Sequence, residues 1–267
     1  MGPNVEEITR TLLRGRLPAV LRISPEPDDH EVVHATDHRG DLLLLVADGS
    51  PLGSQLLRRY GPDGPLGALT VDDVPPFGNA PSLGRAVVLG PIRRLEPGAT
   101  RQAILEFADG NPATGLFDIG QGTALYRLDV RQVRLRIDDA LHHLDIDVYR
   151  AAAPDPLHEE EKDLLVDLAE HHAAEIGSFL ADSLAAAGIR VTSPPLPVRL
   201  DQYGFVVALD PDTARPRWLR LDFPVAMRSR HRLAHFLHPI LFHRCERDSA
   251  DDGPDSTESA RGHGQER

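Results

Sequence analysis

The residues DLLVDLAEHHAAEIGSFLADSLAAAG (Asp163–Gly188) decide how this 267-residue chain divides. Leu165, Leu168, Ile176, Phe179 and Leu184 recur at helical spacing, and Gly188 stands where a helix C-cap falls. The spacing predicts one long amphipathic helix, running from Pro156 to Ala187. His172 lies four residues after Leu168 and four before Ile176, which sets it on the buried stripe. A histidine there is either a packed core residue or a ligand. His171 lies about 100° round the helix from it, at the edge of the stripe.

Downstream of this helix come short apolar runs separated by turn residues. Val198–Asp201, Phe205–Leu209 and Arg217–Leu221 read as a three-stranded meander, with DPDTARP as the turn before the last strand. A helix from Met227 to about His238 follows. Its core stripe is Leu233, Phe236, Leu237, Ile240 and Leu241. His231, His235 and His238 share a neighbouring flank, a spacing that suits a metal, a haem edge or plain solvent. Pro239 disfavours regular helix there. His243 and Cys245 lie beyond it, too few for a Cys/His zinc site. From about Glu246 the chain has almost no apolar residues, which predicts disorder.

Upstream, the pattern is mostly strand. A short helix is expected over Glu6–Arg16, then strands at Leu17–Ser24, Glu31–His38 and Asp41–Asp48, the last two joined by a hairpin turn at Arg39-Gly40. The run LLLLV (Leu42–Val46) predicts a strand buried on both faces. A helix at Pro51–Tyr60 precedes a strand at Gly64–Asp73, and Val74–Ser82 reads as loop. Leu83–Leu95 reads as a long strand broken at Gly90-Pro91, and Ala99–Asp109 as a helix with Ala103, Ile104 and Phe107 on one face. In Ala124–Ile137 the apolar parity changes, so a bulge or turn is expected near Arg131-Gln132. Leu141–Val148 adds a strand, and YRAAAPDP (Tyr149–Pro156) is the linker. With no βαβ alternation, the strands predict a small antiparallel barrel. The fold class is α+β: a barrel domain over 1–148, a linker over 149–157, an α+β domain over 158–245 and a polar tail over 246–267.

Composition narrows function by exclusion. The net charge is -12, so the long-range field repels nucleic acid and anionic membranes. No apolar run approaches the ~20 residues of a spanning helix, and the start has no signal-peptide pattern. A cytoplasmic protein is expected. The single cysteine rules out an internal disulfide. There is no G-x-S-x-G, P-loop, G-x-G-x-x-G or H-E-x-x-H motif, and no nucleophile–base pair, so no catalytic residue is assigned.

Three pieces carry a family resemblance. Leu168-Ala169-Glu170-His171-His172 stands where the domain of unknown function 2470 has a Met-Asn-x-Asp-His motif, with the final histidine kept. Asp201-Gln202-Tyr203-Gly204-Phe205 matches its Asp-x-x-Gly-Phe turn, and Leu219–Pro224 its strand ending in Phe-Pro. The first half is similar in element order to the split barrel of pyridoxamine-5'-phosphate oxidase that often precedes that domain. The resemblance covers roughly residues 5–245. It implies an FMN-binding-like split barrel, commonly a homodimer, with haem-utilisation proteins of the HugZ type, haem-binding regulators and a protein-docking regulator among its relatives.

Haem is the cofactor expected from these relatives, with His172, the retained histidine, as iron ligand; His171 beside it, and His235 and His231 on the flank of the last helix, are further cofactor-binding candidates by their spacing. Burial favours the neutral imidazole that binds iron. A non-catalytic regulator with a protein partner is the alternative. A flavin-dependent oxidoreductase is the second alternative. FMN is disfavoured because ADGSPLGSQLLRRYGPDG offers Ser50, Ser54, Arg58 and Arg59 without a recognisable phosphate cradle. Arg93 and Arg94 could pair a propionate or phosphate, but an exposed arginine pair is more often plain surface, and that reading is the favoured one. Arg127, Arg131, Arg134 and Arg136 are expected on the barrel exterior, where they could face a second copy.

Overall fold

The computed structural model describes residues 2–58, 64–209, 211 and 217–242. Helix α1 (Val5–Leu12) opens it, started by a capping box in which Asn4 accepts from the Glu7 N–H and Glu7 accepts from the Asn4 N–H. Strands β1 (Ala19–Ile23), β2 (Asp29–Thr36) and β3 (Leu42–Ala47) follow, then the short helix α2 (Pro51–Leu56) and strand β4 (Leu66–Asp72). Strand β5 (Arg85–Arg94), helix α3 (Pro97–Gly110), a 3-10 turn at Thr114–Asp118, and strands β6 (Thr123–Leu128), β7 (Gln132–Ile137) and β8 (Ala140–Leu144) complete the first half.

All strand pairs in this half are antiparallel. The order β4-β1-β2-β3-β6-β5 closes on itself through the β4–β5 pair, giving a six-stranded barrel, and β7 and β8 extend the sheet from β5. Closure removes the edges that an open sheet would expose. Alternate residues such as Leu21, Leu44, Leu69, Val88 and Leu128 fill the interior. The run Leu42–Val46 is buried on both sides as expected, because α3 packs Ala103 and Phe107 on the outer face against Leu43 and Leu125.

One local expectation is corrected here, and another is resolved to one of its two alternatives. Strand β5 is continuous through Gly90-Pro91; what changes there is its partner. It pairs with β7 as far as Leu89 and with β6 from Ile92 onward. The parity change after Leu128 is a turn between two strands, because β6 and β7 pair with opposite halves of β5 rather than forming one bulged strand.

The expected strand Leu141–Val148 ends early. Asp145 accepts from the Asp147 and Val148 N–H groups and caps helix α4 (Ile146–Ala151), so the connecting segment begins as helix. Tyr149 on α4 is fully buried in the barrel core and donates to the Gly40 carbonyl at 3.0 Å.

The second half holds α5 (Glu161–His171), α6 (Ala173–Ala186), the meander β9 (Leu196–Asp201), β10 (Gly204–Leu209) and β11 (Arg217–Asp222), and α7 (Arg230–Phe242). The single helix expected over Pro156–Ala187 is two helices. His172 forms the break, with φ -134° and ψ 25°. The hydrogen-bond ladder keeps its phase, since the His172 N–H reaches the Leu168 carbonyl and the Ile176 N–H reaches the His172 carbonyl. Leu165, Leu168, Ile176, Leu180 and Leu184 therefore still face one core with Phe205, Val207 and Leu237. Pro239 sits inside α7. Arg59, His243, Cys245 and the polar tail lie outside the described residues. The α+β class, an antiparallel barrel followed by a helix-flanked meander, is the observed fold.

Candidate functional site

The Asp201–Phe205 motif is structural. The Asp201 carboxylate accepts from the Tyr203 and Gly204 N–H groups at 2.7 and 3.2 Å, closing the β9–β10 turn. Arg220 grips the same carboxylate through both terminal nitrogens, at 2.7 and 2.5 Å. A side chain at Gly204 would strike the Leu221 carbonyl, so the turn requires glycine. Phe205 stacks edge-on with Phe223 at 5.2 Å, and Phe223 meets Phe236 of α7 at 5.1 Å. These contacts fix α7 over the meander.

That placement sets the histidines. His172 is half-buried, not fully buried as a continuous helix would have made it, because the break turns it toward the end of α7. Its ring lies edge-on to Phe242, centroids 5.5 Å apart. His238 meets the same Phe242 ring from its own helix at 5.1 Å. Phe242 is 58% exposed. Two imidazoles thus flank one exposed aromatic ring. His171, His231 and His235 are exposed and take no part in this cluster. Among the described residues, no group of three or more His, Cys, Asp or Glu side chains converges as a metal site.

Of the groups weighed for a flavin phosphate or a propionate, Ser50, Arg58, Arg93 and Arg94 have other partners, and Ser54 is exposed. Ser50 caps α2, accepting from the Gly53 N–H and donating to the Ala47 carbonyl. Arg58 pairs with Glu26 at 2.5 Å, Arg93 with Asp129 and Arg94 with Asp48. Arg127 stands on the barrel's outer face as expected, on the same side of β6 as Leu125, and there pairs with the buried Asp37 at 3.3 Å. Arg131 and Arg136 are exposed and Arg134 half-buried.

Two features were not anticipated. The first is an ion cluster where barrel and second half meet. Arg199 on β9 contacts Asp73 of the barrel at 2.5 Å, the Pro81 carbonyl at 3.0 Å and Glu161 of α5 at 3.0 Å, and all three charged side chains are at most 5% exposed. Burial works against ionisation of Glu161, but His158, Arg199 and the Leu200 N–H together hold its carboxyl below the usual range.

Nearby, Asp155 ties three elements together. Its N–H donates to Thr11 of α1, and its carboxylate accepts from Leu157 and from Gln202 in the β9–β10 turn. Burial pushes that carboxyl up to about 6, with the neighbouring Asp201 adding to the rise and the two N–H bonds and His158 opposing it. The folded value lies above the unfolded one near 3.9. Its stabilising contribution is therefore complete below about pH 4 and lost as pH rises through about 6. Chemical denaturation of wild type and Asp155→Asn across pH 4–7 should show the wild type's relative stability falling by about 2 kcal/mol over that window. Parallel curves would refute the assignment.

The second feature is a groove of about 840 Å³ beside α6. One wall is helical, with Ala169, Ala173, Gly177 and Ala181 at four-residue spacing; the other is the segment Val191–Val198. Phe77 and Asn79, from the barrel loop after β4, close one side. His172 does not line it, nor does any other histidine. The four-residue spacing of the small residues is the signal the sequence carries for it, interleaved with the large apolar positions that define the helix.

No protein-family profile matches the chain, and no curated protein matches it in sequence. Among solved structures, a haem-binding protein from Mycobacterium smegmatis superposes with a TM-score of 0.65 at 18% identity, covering 92% of this chain and 99% of that one. A protein of unknown function from Agrobacterium tumefaciens str. C58 covers 90% of this chain and 97% of its own, at 18% identity and a TM-score of 0.42. An FAD- and haem-binding protein from Mycobacterium smegmatis covers 52% of this chain and 80% of its own, at 15% identity and a TM-score of 0.34. The first likeness shows that barrel and second half together form a known fold; at this identity it speaks for the fold alone.

Proposed function

We propose that this chain binds haem, with His172 supplying the imidazole to the iron and Phe242 and His238 forming the adjoining wall. The observation that carries the reading is the convergence of His172 and His238 on one exposed aromatic ring. A half-buried imidazole can reach a ligand that a core histidine cannot. A large exposed phenyl beside it offers an apolar surface for a flat macrocycle to cover. His235 on the same helix is the weaker second ligand; His171 and His231 are left to solvent. The full-length likeness to a haem-binding protein supports the same direction. The retained histidine and the Asp201–Phe205 turn support kinship with the domain of unknown function 2470, joined to a split barrel. When bound, the iron would supply the ligand-exchange and redox chemistry, and the chain ligation and an apolar contact.

Hemin titrated into the purified protein should give a Soret band that saturates at one equivalent. His172→Ala should abolish or shift it, and added imidazole should restore the wild-type position. A spectrum insensitive to His172→Ala would remove His172 as the ligand. No Soret change with wild type would end the haem reading.

A further inference from the structure

We propose that the groove beside α6 is a second binding site, for a neutral, elongated, apolar small molecule carrying a single acyl or isoprenoid chain. Its volume of about 840 Å³ lies within the range of small-molecule sites. Although 26% of the chain is Asp, Glu, Lys or Arg, the lining contains no ionisable side chain. Its polar groups are the side chains of Asn79, Ser178, Thr192 and Ser193, with backbone. A charged ligand would lose hydration there without meeting an opposite charge, whereas an uncharged chain matches the lining. That mismatch also separates this site from the histidines flanking Phe242.

The shape favours a long, narrow occupant. Ala169, Ala173, Gly177 and Ala181 all line the helical wall, in a row that winds about 40° round the axis at each four-residue step. Twelve residues at helical rise give a trough about 18 Å long. Gly177 deepens it, for a side chain there would meet nothing within 4 Å. Leu196, 42% exposed, faces this space from the opposite wall.

The groove is also held open by distant contacts. The loop bearing Phe77 and Asn79 is pinned at both ends. Arg199 holds Asp73 and the Pro81 carbonyl, and the Trp218 indole N–H donates to the Asn79 carbonyl at 2.9 Å. Within the loop the Ala80 N–H reaches the Phe77 carbonyl, and the Leu83 N–H reaches Asp73. A wall fixed by groups from β9 and β11 is preorganised, which lowers the ordering cost of binding.

The test uses Nile red, a neutral apolar dye, with wild type and Gly177→Phe. The new side chain enters open space, so the variant is expected to fold, with an unchanged circular dichroism spectrum; Ala181→Leu is a milder second variant. Wild type should bind one Nile red and be displaced by farnesol or a long-chain alcohol. Gly177→Phe should weaken the dye about tenfold or more, while its hemin titration stays that of wild type. Absence of Nile red binding, or equal binding by Gly177→Phe, would overturn the proposal. So would equally tight binding of anionic anilinonaphthalene sulfonate at the same site, since the neutral lining would then not select. A Soret band lost in Gly177→Phe would place haem in the groove instead. A wild-type dimer that Gly177→Phe dissociates would assign the groove to a second copy.

Discussion

Replacing Arg199 with alanine is expected to destabilise the chain by about 3–5 kcal/mol. Arg199 is the only cation in direct contact with both Asp73 and Glu161 among the described residues, and both carboxylates are buried. Removing it leaves two buried acids without their shared cation, with His158 at 3.5 Å from Glu161 as the remaining base beside it. Lysine would keep the charge but lose the fork that reaches both acids and the Pro81 carbonyl, so Arg199→Lys should fall between wild type and Arg199→Ala. Urea denaturation followed by fluorescence of the single tryptophan, Trp218, reads both variants in the element that pins the groove loop. A loss under about 1 kcal/mol in Arg199→Ala would show that water replaces the guanidinium and that the cluster does not hold the two halves together.

Gly90→Ala is expected to cost about 2–4 kcal/mol, although it adds one carbon. A methyl group there would strike the Asp129 carbonyl and crowd the Leu128 side chain. This is the point where β5 leaves β7 for β6, and the Asp129 N–H bonds the Pro91 carbonyl at 2.9 Å to complete the exchange. The backbone on either side belongs to the closed barrel and has little room to shift. Thermal denaturation should show a clear drop for Gly90→Ala and little change for Gly49→Ala, where a side chain meets nothing within 4 Å. Equal midpoints for the two variants would contradict the packing described for the barrel.

Features written locally could be read from the chain. The period-two strands, the Leu42–Val46 run buried on both faces, the Arg39-Gly40 turn and the Asp201–Phe205 turn all depend on residues within a few positions of one another. The break at His172 could not be read that way. Leu168 and Ile176 keep helical phase across it, and no proline or glycine marks it. Strand β5's change of partner was visible only as a Gly-Pro oddity, because its cause lies in β6 and β7, some forty residues later. The Asp73–Arg199–Glu161 cluster joins positions far apart in sequence and carries no local pattern. Among the candidate ligands, sequence singled out His172 and the histidine flank of the last helix, but not Phe242, the ring that both His172 and His238 contact. The groove was written in the chain as small residues four apart, between the apolar positions that defined the helix.

Iron ligation by His172 is tested most directly by comparing hemin with iron-free protoporphyrin in equilibrium titrations of wild type and His172→Ala. The two ligands share a macrocycle and propionates and differ in the metal. Wild type should bind hemin at least about tenfold more tightly, a gap of about 1.4 kcal/mol or more, and His172→Ala should close that gap. Equal affinities in the wild type, or a preference for hemin that survives His172→Ala, would contradict ligation at His172.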